Sequence, residues 1–134
     1  MKILLPDGWT PPKGYSHGVV AEGRLIFVAG QIGWNETGTF QTNDLAEQTG
    51  QALRNILTIL NAANAGAEHI TRMTWFITDK KEYLDSLKSL GQIYREEMGH
   101  HFPVMSVVEV NALIEDKAKV EIEATAVIPN KTSK

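Results

Sequence analysis

Two segments of this chain open with the same helix-starting signature, and two helices are too few to cover a sheet on both sides. The segments are Asp44-Leu45-Ala46-Glu47 and Asp79-Lys80-Lys81-Glu82. In each, the aspartate is placed to accept from backbone N–H groups of the first turn, and the glutamate to reach back to the cap. Leu45, Thr49, Ala52, Leu53, Ile56, Leu60 and Ala63 follow the first at helical spacing, with Gly66 expected as its C-terminal stop. Tyr83, Leu87, Leu90, Tyr94 and Met98 follow the second as one stripe that ends at Gly99. Strands are expected at Ser16–Ala21, Arg24–Gly30, Ile70–Thr78, Val104–Val110 and Ala118–Ile128, with Glu22-Gly23 as a two-residue hairpin turn. The order is β-β-α-β-α-β-β, an α+β chain with a mixed sheet covered on one face by two helices.

The strand patterns sharpen this. Val120, Ile122, Ala124, Ala126 and Ile128 share one face, suited to the helices, while Lys119, Glu121, Glu123, Thr125 and Val127 share the other. The run Leu25-Ile26-Phe27-Val28-Ala29 is continuously apolar and is expected to be buried on both faces. Ile70–Thr78 carries large apolar groups on both faces, Trp75 and Phe76 among them. A sheet with such a free face is expected to bury it against further copies of the chain, which places any site between subunits.

At 134 residues the chain is expected to form a single domain, 1–134, with a Pro/Gly-rich extended arm at 1–13 and a flexible tail at 130–134. Its net charge of −3 (13 basic against 16 acidic residues) argues against a protein whose main task is to hold phosphate backbones. The absence of cysteine removes disulfides, thiolate metal sites and cysteine nucleophiles. No apolar run approaches the roughly 18 residues of a membrane span, and Met1–Pro6 is too short for a signal peptide, so a cytoplasmic protein is expected.

Few residues point to chemistry. Gly30-x-x-Gly33 lacks the spacing of a dinucleotide loop, and no Gly-x-Ser-x-Gly elbow or His-Glu-x-x-His is present. His100-His101 read as solvated or hydrogen-bonding histidines rather than metal ligands. Glu121 and Glu123 stand roughly 7 Å apart on the face that an oligomer would bury. A carboxylate there needs a partner or a task. Either it pairs with Lys119 or a neighbouring subunit, or it moves protons, work that partial burial suits. Tyr15, in Gly14-Tyr15-Ser16-His17-Gly18, reads alone as a packing aromatic with a bonded hydroxyl.

The segments GYSHGVVAEGRLIFVAGQIGWN, DLAEQTGQALRNILTILNAA and FPVMSVVEV…AKVEIEATAVIP resemble the RidA/YjgF family, in order and spacing, from about Gly14 to Pro129. Ala29-Gly30-Gln31-Ile32 and Val120-Glu121-Ile122-Glu123-Ala124 carry the resemblance most specifically. It implies a chorismate-mutase-like fold, a homotrimer with the sheets as a central barrel and the helices outside, and three intersubunit clefts. In the best-understood branch these clefts hydrolyse enamines and imines such as 2-aminoacrylate to ketoacids and ammonia, without metal or organic cofactor. By position Glu121 is implied as the water-activating acid/base, and Tyr15, Gln31 and Trp34 as residues lining the cleft.

The branch's carboxylate-gripping arginine, whose planar fork suits that task, falls at Met105. Met105 carries no charge, and losing a charge-assisted contact costs about 1.5–3 kcal/mol. Val107 stands where that branch has cysteine and Gly91 where it has a helix asparagine. The anchoring side of the cleft is therefore rebuilt with more apolar residues. Three readings follow: hydrolysis of an enamine or imine less dependent on carboxylate binding, binding of a small apolar or aromatic ligand without turnover, or a structural trimer. Ribonuclease activity is the weakest reading.

Overall fold

The computed structural model describes residues 1–131. Four strands form the main sheet, in the order β3-β6-β4-β5: β3 (Arg24–Ile32), β4 (Ile70–Ile77), β5 (Val104–Glu109) and β6 (Val120–Ile128). β6 runs antiparallel to both neighbours and β4 is parallel to β5, so the sheet is mixed. A second, two-stranded sheet pairs β1 (Lys2–Leu4) with β2 (Gly18–Val20). The arm at 1–13 is thus partly a strand rather than wholly extended coil. The tail expected at 130–134 lies, from residue 132 onward, outside the described residues.

Helix α1 (Leu45–Asn61) begins where Asp44 accepts from the backbone N–H of Glu47. Glu47 does not reach back to the cap; its carboxylate accepts from the Thr42 hydroxyl at 2.7 Å, and that hydroxyl oxygen accepts from the Asp44 N–H. Ala52, Leu53, Ile56 and Leu60 are buried against the sheet as the stripe requires. The chain leaves the helix through Asn64, at φ 58°, and not through Gly66, whose φ of −136° is ordinary extended backbone. Asparagine takes the left-handed position there, as its short polar side chain allows.

The second predicted helix is two. α2 (Lys80–Asp85), capped by Asp79 on the Glu82 N–H, ends at Ser86, whose φ −105° and ψ 7° leave helical geometry. α3 (Leu87–Met98) restarts there and stops at Gly99, φ 66°, as expected. α2 buries no residue, whereas α3 sinks Leu90, Tyr94 and Met98 into the core.

The Glu22-Gly23 hairpin is not formed, because β2 pairs with β1 and β3 with β6. Gly23 serves close approach instead: at φ 147° its bare Cα lies against the Ile128 carbonyl, where a Cβ would collide. The burial of β3 on both faces also fails within one chain. Val28 is buried toward the helices, but Leu25 and Phe27 stand 58% and 75% exposed on the opposite face. On β6, Val120, Ile122, Ala124 and Ala126 are buried on the helix side, as their alternation demands. One sheet face is therefore covered by α1 and α3, and the other is bare.

One buried polar residue ties these layers together. Gln48, fully buried on α1, donates through Nε2 to the carbonyls of Thr42 and Lys117 and accepts at Oε1 from the Lys119 N–H. Its amide thus meets both demands of burial and pins the loop before β6 to the first turn of α1.

Candidate functional site

The sheet order separates the implied site residues into two groups. Met105 and Val107 lie opposite Met73 and Trp75 in the β4–β5 register, on the helix side of the sheet. Tyr15 joins them because Ser16 is fastened to the segment before β5: its backbone N–H donates to Pro103 O at 3.0 Å and its hydroxyl to Phe102 O at 2.6 Å. Tyr15, Met105 and Val107 then border a cavity of about 690 Å³ between the β5 end of the sheet and α2–α3. A volume in that range suits a small organic ligand.

The cavity is mostly apolar, with Trp75, Tyr83, Leu90, Tyr94 and Phe102 in its wall. Tyr94 stacks on Phe102 with ring centroids 5.7 Å apart, and its hydroxyl donates to His101 O at 2.6 Å. Burial holds the phenols of Tyr94 and Tyr83 above their ordinary pKa, so both are neutral hydroxyls. His101, whose Nε2 bonds the Ile70 carbonyl at 2.7 Å, is a structural histidine, as the sequence led us to expect.

Glu121 and Gln31 belong to the other group. Glu121 lies opposite Phe76 on β4 and Ile32 on β3, and it does not border the cavity. Its side chain lies over Gly30, where an added Cβ would overlap the carboxylate. The Lys119 pairing weighed above goes elsewhere: Lys119 Nζ meets Glu82 of α2 at 2.7 Å. Among the described residues Glu121 has no hydrogen-bonding or ionic partner. Gln31 donates to the Ala29 carbonyl at 3.0 Å across the irregular stretch of β3 between Val28 and Gln31. Trp34 stands in the following loop, held by Asn55 of α1, whose Nδ2 donates to the carbonyls of Ile32 and Trp34. Its ring packs on Phe40 at 5.8 Å.

The cavity wall from α2 and α3 was not anticipated, because Tyr83, Leu87, Leu90 and Tyr94 read as a core stripe. Only part of that stripe reaches the core: Leu90 and Tyr94 are buried, Tyr83 and Leu87 are not, and all four border the cavity. Among the described residues no group of three or more His, Asp or Glu is placed to hold a metal ion. No helix there is long and apolar enough to cross a membrane.

Fold and cavity define a small α+β domain with helices on one sheet face and an apolar pocket beneath the second helical segment. The Endoribonuclease L-PSP family model matches residues 9–128, and the chain belongs to this family, the RidA/YjgF proteins. It is 30% identical over 114 residues to the human 2-iminobutanoate/2-iminopropanoate deaminase, covering 84% of this chain and 79% of that one. A RutC family protein of Pyrococcus abyssi is 34% identical over 126 residues, 93% of this chain and 95% of that protein. Among solved structures, the Rid family protein YyfB of Yersinia pestis superposes with a TM-score of 0.84 at 30% identity, covering 95% and 98% of the two chains. Escherichia coli TdcF, solved with bound serine, superposes with a TM-score of 0.67 at 32% identity, covering 96% and 99%.

Proposed function

We propose that this protein hydrolyses an enamine or imine to a carbonyl compound and ammonia, in a cleft shared between subunits of a homotrimer. The observation that carries the reading is the freedom of Glu121: Lys119 is committed to Glu82, and a half-buried carboxylate is left without a partner among the described residues. A charged group in that setting is costly unless it meets a partner or does chemistry. Glu121 takes a proton from water as the oxygen adds to the C=N carbon. It returns that proton to nitrogen to give a carbinolamine; the same carboxylate then carries the hydroxyl proton to nitrogen, so that the C–N bond breaks, ammonia leaves and the C=O bond forms.

The division of the site supports the intersubunit arrangement. Glu121 and Gln31 flank the bare face, whereas Tyr15, Met105 and Val107 border the cavity at the β5 end. A second copy seated on the exposed Leu25 and Phe27 would bring one group toward the other. The bare sheet faces would then line a central barrel, and neither metal nor organic cofactor enters the reaction. A nucleic-acid role has little support in a chain of net charge −3.

The uncharged Met105 favours one second reading, a small-ligand binder without turnover. An assay with imines generated in situ by an amino-acid oxidase, spanning small and bulky side chains, separates the two. Turnover of a bulky imine that disappears in Glu121→Gln supports hydrolysis; no turnover across the panel by the folded oligomer leaves the binder.

A further inference from the structure

The cavity has a charge pattern at odds with the rest of the molecule. The protein carries a net −3, yet the charged residues bordering the cavity are Lys13 and Arg95, with no aspartate or glutamate among its lining residues. Arg95 lies on α3 one turn beyond Gly91, and both face the cavity. A Cβ at Gly91 would come within 3.3 Å of Arg95 Nη1, so the glycine gives the guanidinium room to lie along the helix surface. The ion pairs among the described residues are Arg54–Glu97, Lys81–Asp85 and Lys119–Glu82, and none engages Arg95.

A second observation marks the same cavity. Trp75, 3% exposed, forms part of its wall, and its indole Nε1 is a buried donor without a hydrogen-bond partner. Buried donors are rarely left unpaired, and one beside a cavity is suited to a ligand acceptor.

We infer that Arg95 is the anion anchor of this cavity, so that its ligand is a carboxylate bearing an aromatic or bulky apolar body. The cation missing from β5, where Met105 stands, is supplied by the facing helix. Met105, Tyr83 and Phe102 leave the space between for the apolar part. Arginine suits the task better than Lys13 because its planar fork can grip both carboxylate oxygens. As a substrate class, bulky 2-imino acids rather than small ones, the inference rests on the hydrolytic reading; as a binding site it stands apart from it.

The test uses 3-phenylpropanoate and its uncharged amide, titrated calorimetrically into the full-length protein, with tryptophan indole N–H resonances followed by NMR. The wild type is expected to bind the carboxylate about ten- to a hundredfold more tightly than the amide. Arg95→Gln should abolish that preference and leave the amide within twofold, and Arg95→Lys should keep part of it. The Trp75 indole resonance, assigned with Trp75→Phe, should move on titration. A preference that survives Arg95→Gln in a folded protein, or that vanishes only in Lys13→Gln, overturns the assignment. So does failure of the carboxylate to bind. Arg95-dependent binding without imine turnover would remove the hydrolytic reading and keep the anion site. Turnover of bulky imino acids indifferent to Arg95→Gln would do the reverse.

Discussion

The carboxylate of Glu121 on β6 rests on the bare Cα of Gly30 on β3, in the gap left by the irregular register between Val28 and Gln31. The Ala-Gly-Gln-Ile and Val-Glu-Ile-Glu-Ala signatures, 91 residues apart in sequence, meet in this contact.

Gly30→Ala is expected to push the Glu121 side chain aside at little cost to the fold, because the displaced atoms are the end of a flexible side chain. Imine turnover should fall at least as far as in Glu121→Asp, with the melting temperature within a few degrees of wild type. Full activity in Gly30→Ala would detach the carboxylate's position from the chemistry.

Met105→Arg places a guanidinium in the wall that now holds Met105, Tyr15 and Val107. We expect deamination of the imine of pyruvate, generated in situ from alanine, to rise about tenfold or more, the scale of one charge-assisted contact. No gain in a correctly folded variant would mean that the cleft differs by more than this residue.

The proposed trimer would form through the bare face. Phe27→Asp introduces a charge where Phe27 is 75% exposed on one chain, so the isolated chain should tolerate it. Sedimentation should give three chain masses for the wild type and one for the variant. A wild-type monomer at micromolar concentration would contradict the shared cleft.

Gln48→Leu removes the donor to the Thr42 and Lys117 carbonyls and the acceptor for the Lys119 N–H. Leaving such groups buried and unpaired should cost about 2–3 kcal/mol in urea unfolding. A near-neutral result would show that water replaces the amide.

Burial of Tyr94 links its ionisation to stability at alkaline pH. Burial raises its folded-state pKa above the value of about 10 it has when unfolded. Its contribution to stability is therefore complete below pH 10 and is lost as pH rises further, since the unfolded phenol ionises first. Tyr94→Phe should cost about 1–2 kcal/mol at pH 8, because the His101 carbonyl loses its donor. Its unfolding free energy should then fall less steeply between pH 9 and 11.

Local patterns carried much of the fold. The Asp44 and Asp79 caps, the Gly99 stop and the alternation of β6 each depend on neighbours within a few residues, where backbone geometry and burial speak directly through side-chain type. What failed were choices between long-range partners. β2 joined β1 and β3 joined β6, which sets Gly23 against Ile128, 105 residues away, and no local signal records that. The stripe from Tyr83 to Met98 was legible as apolar, but which of its residues enter the core and which border a cavity is set by packing between elements.

The sequence by itself determined the family and the one-sided α+β architecture, and it singled out Glu121 and Met105 as candidate site residues, because signature and periodicity are local properties. Only the tertiary structure decided that Lys119 serves Glu82, that Gly30 accommodates Glu121, and that Arg95 faces the same cavity as Met105. These relations are set by sheet order and helix placement, which bring together side chains that nothing along the chain connects.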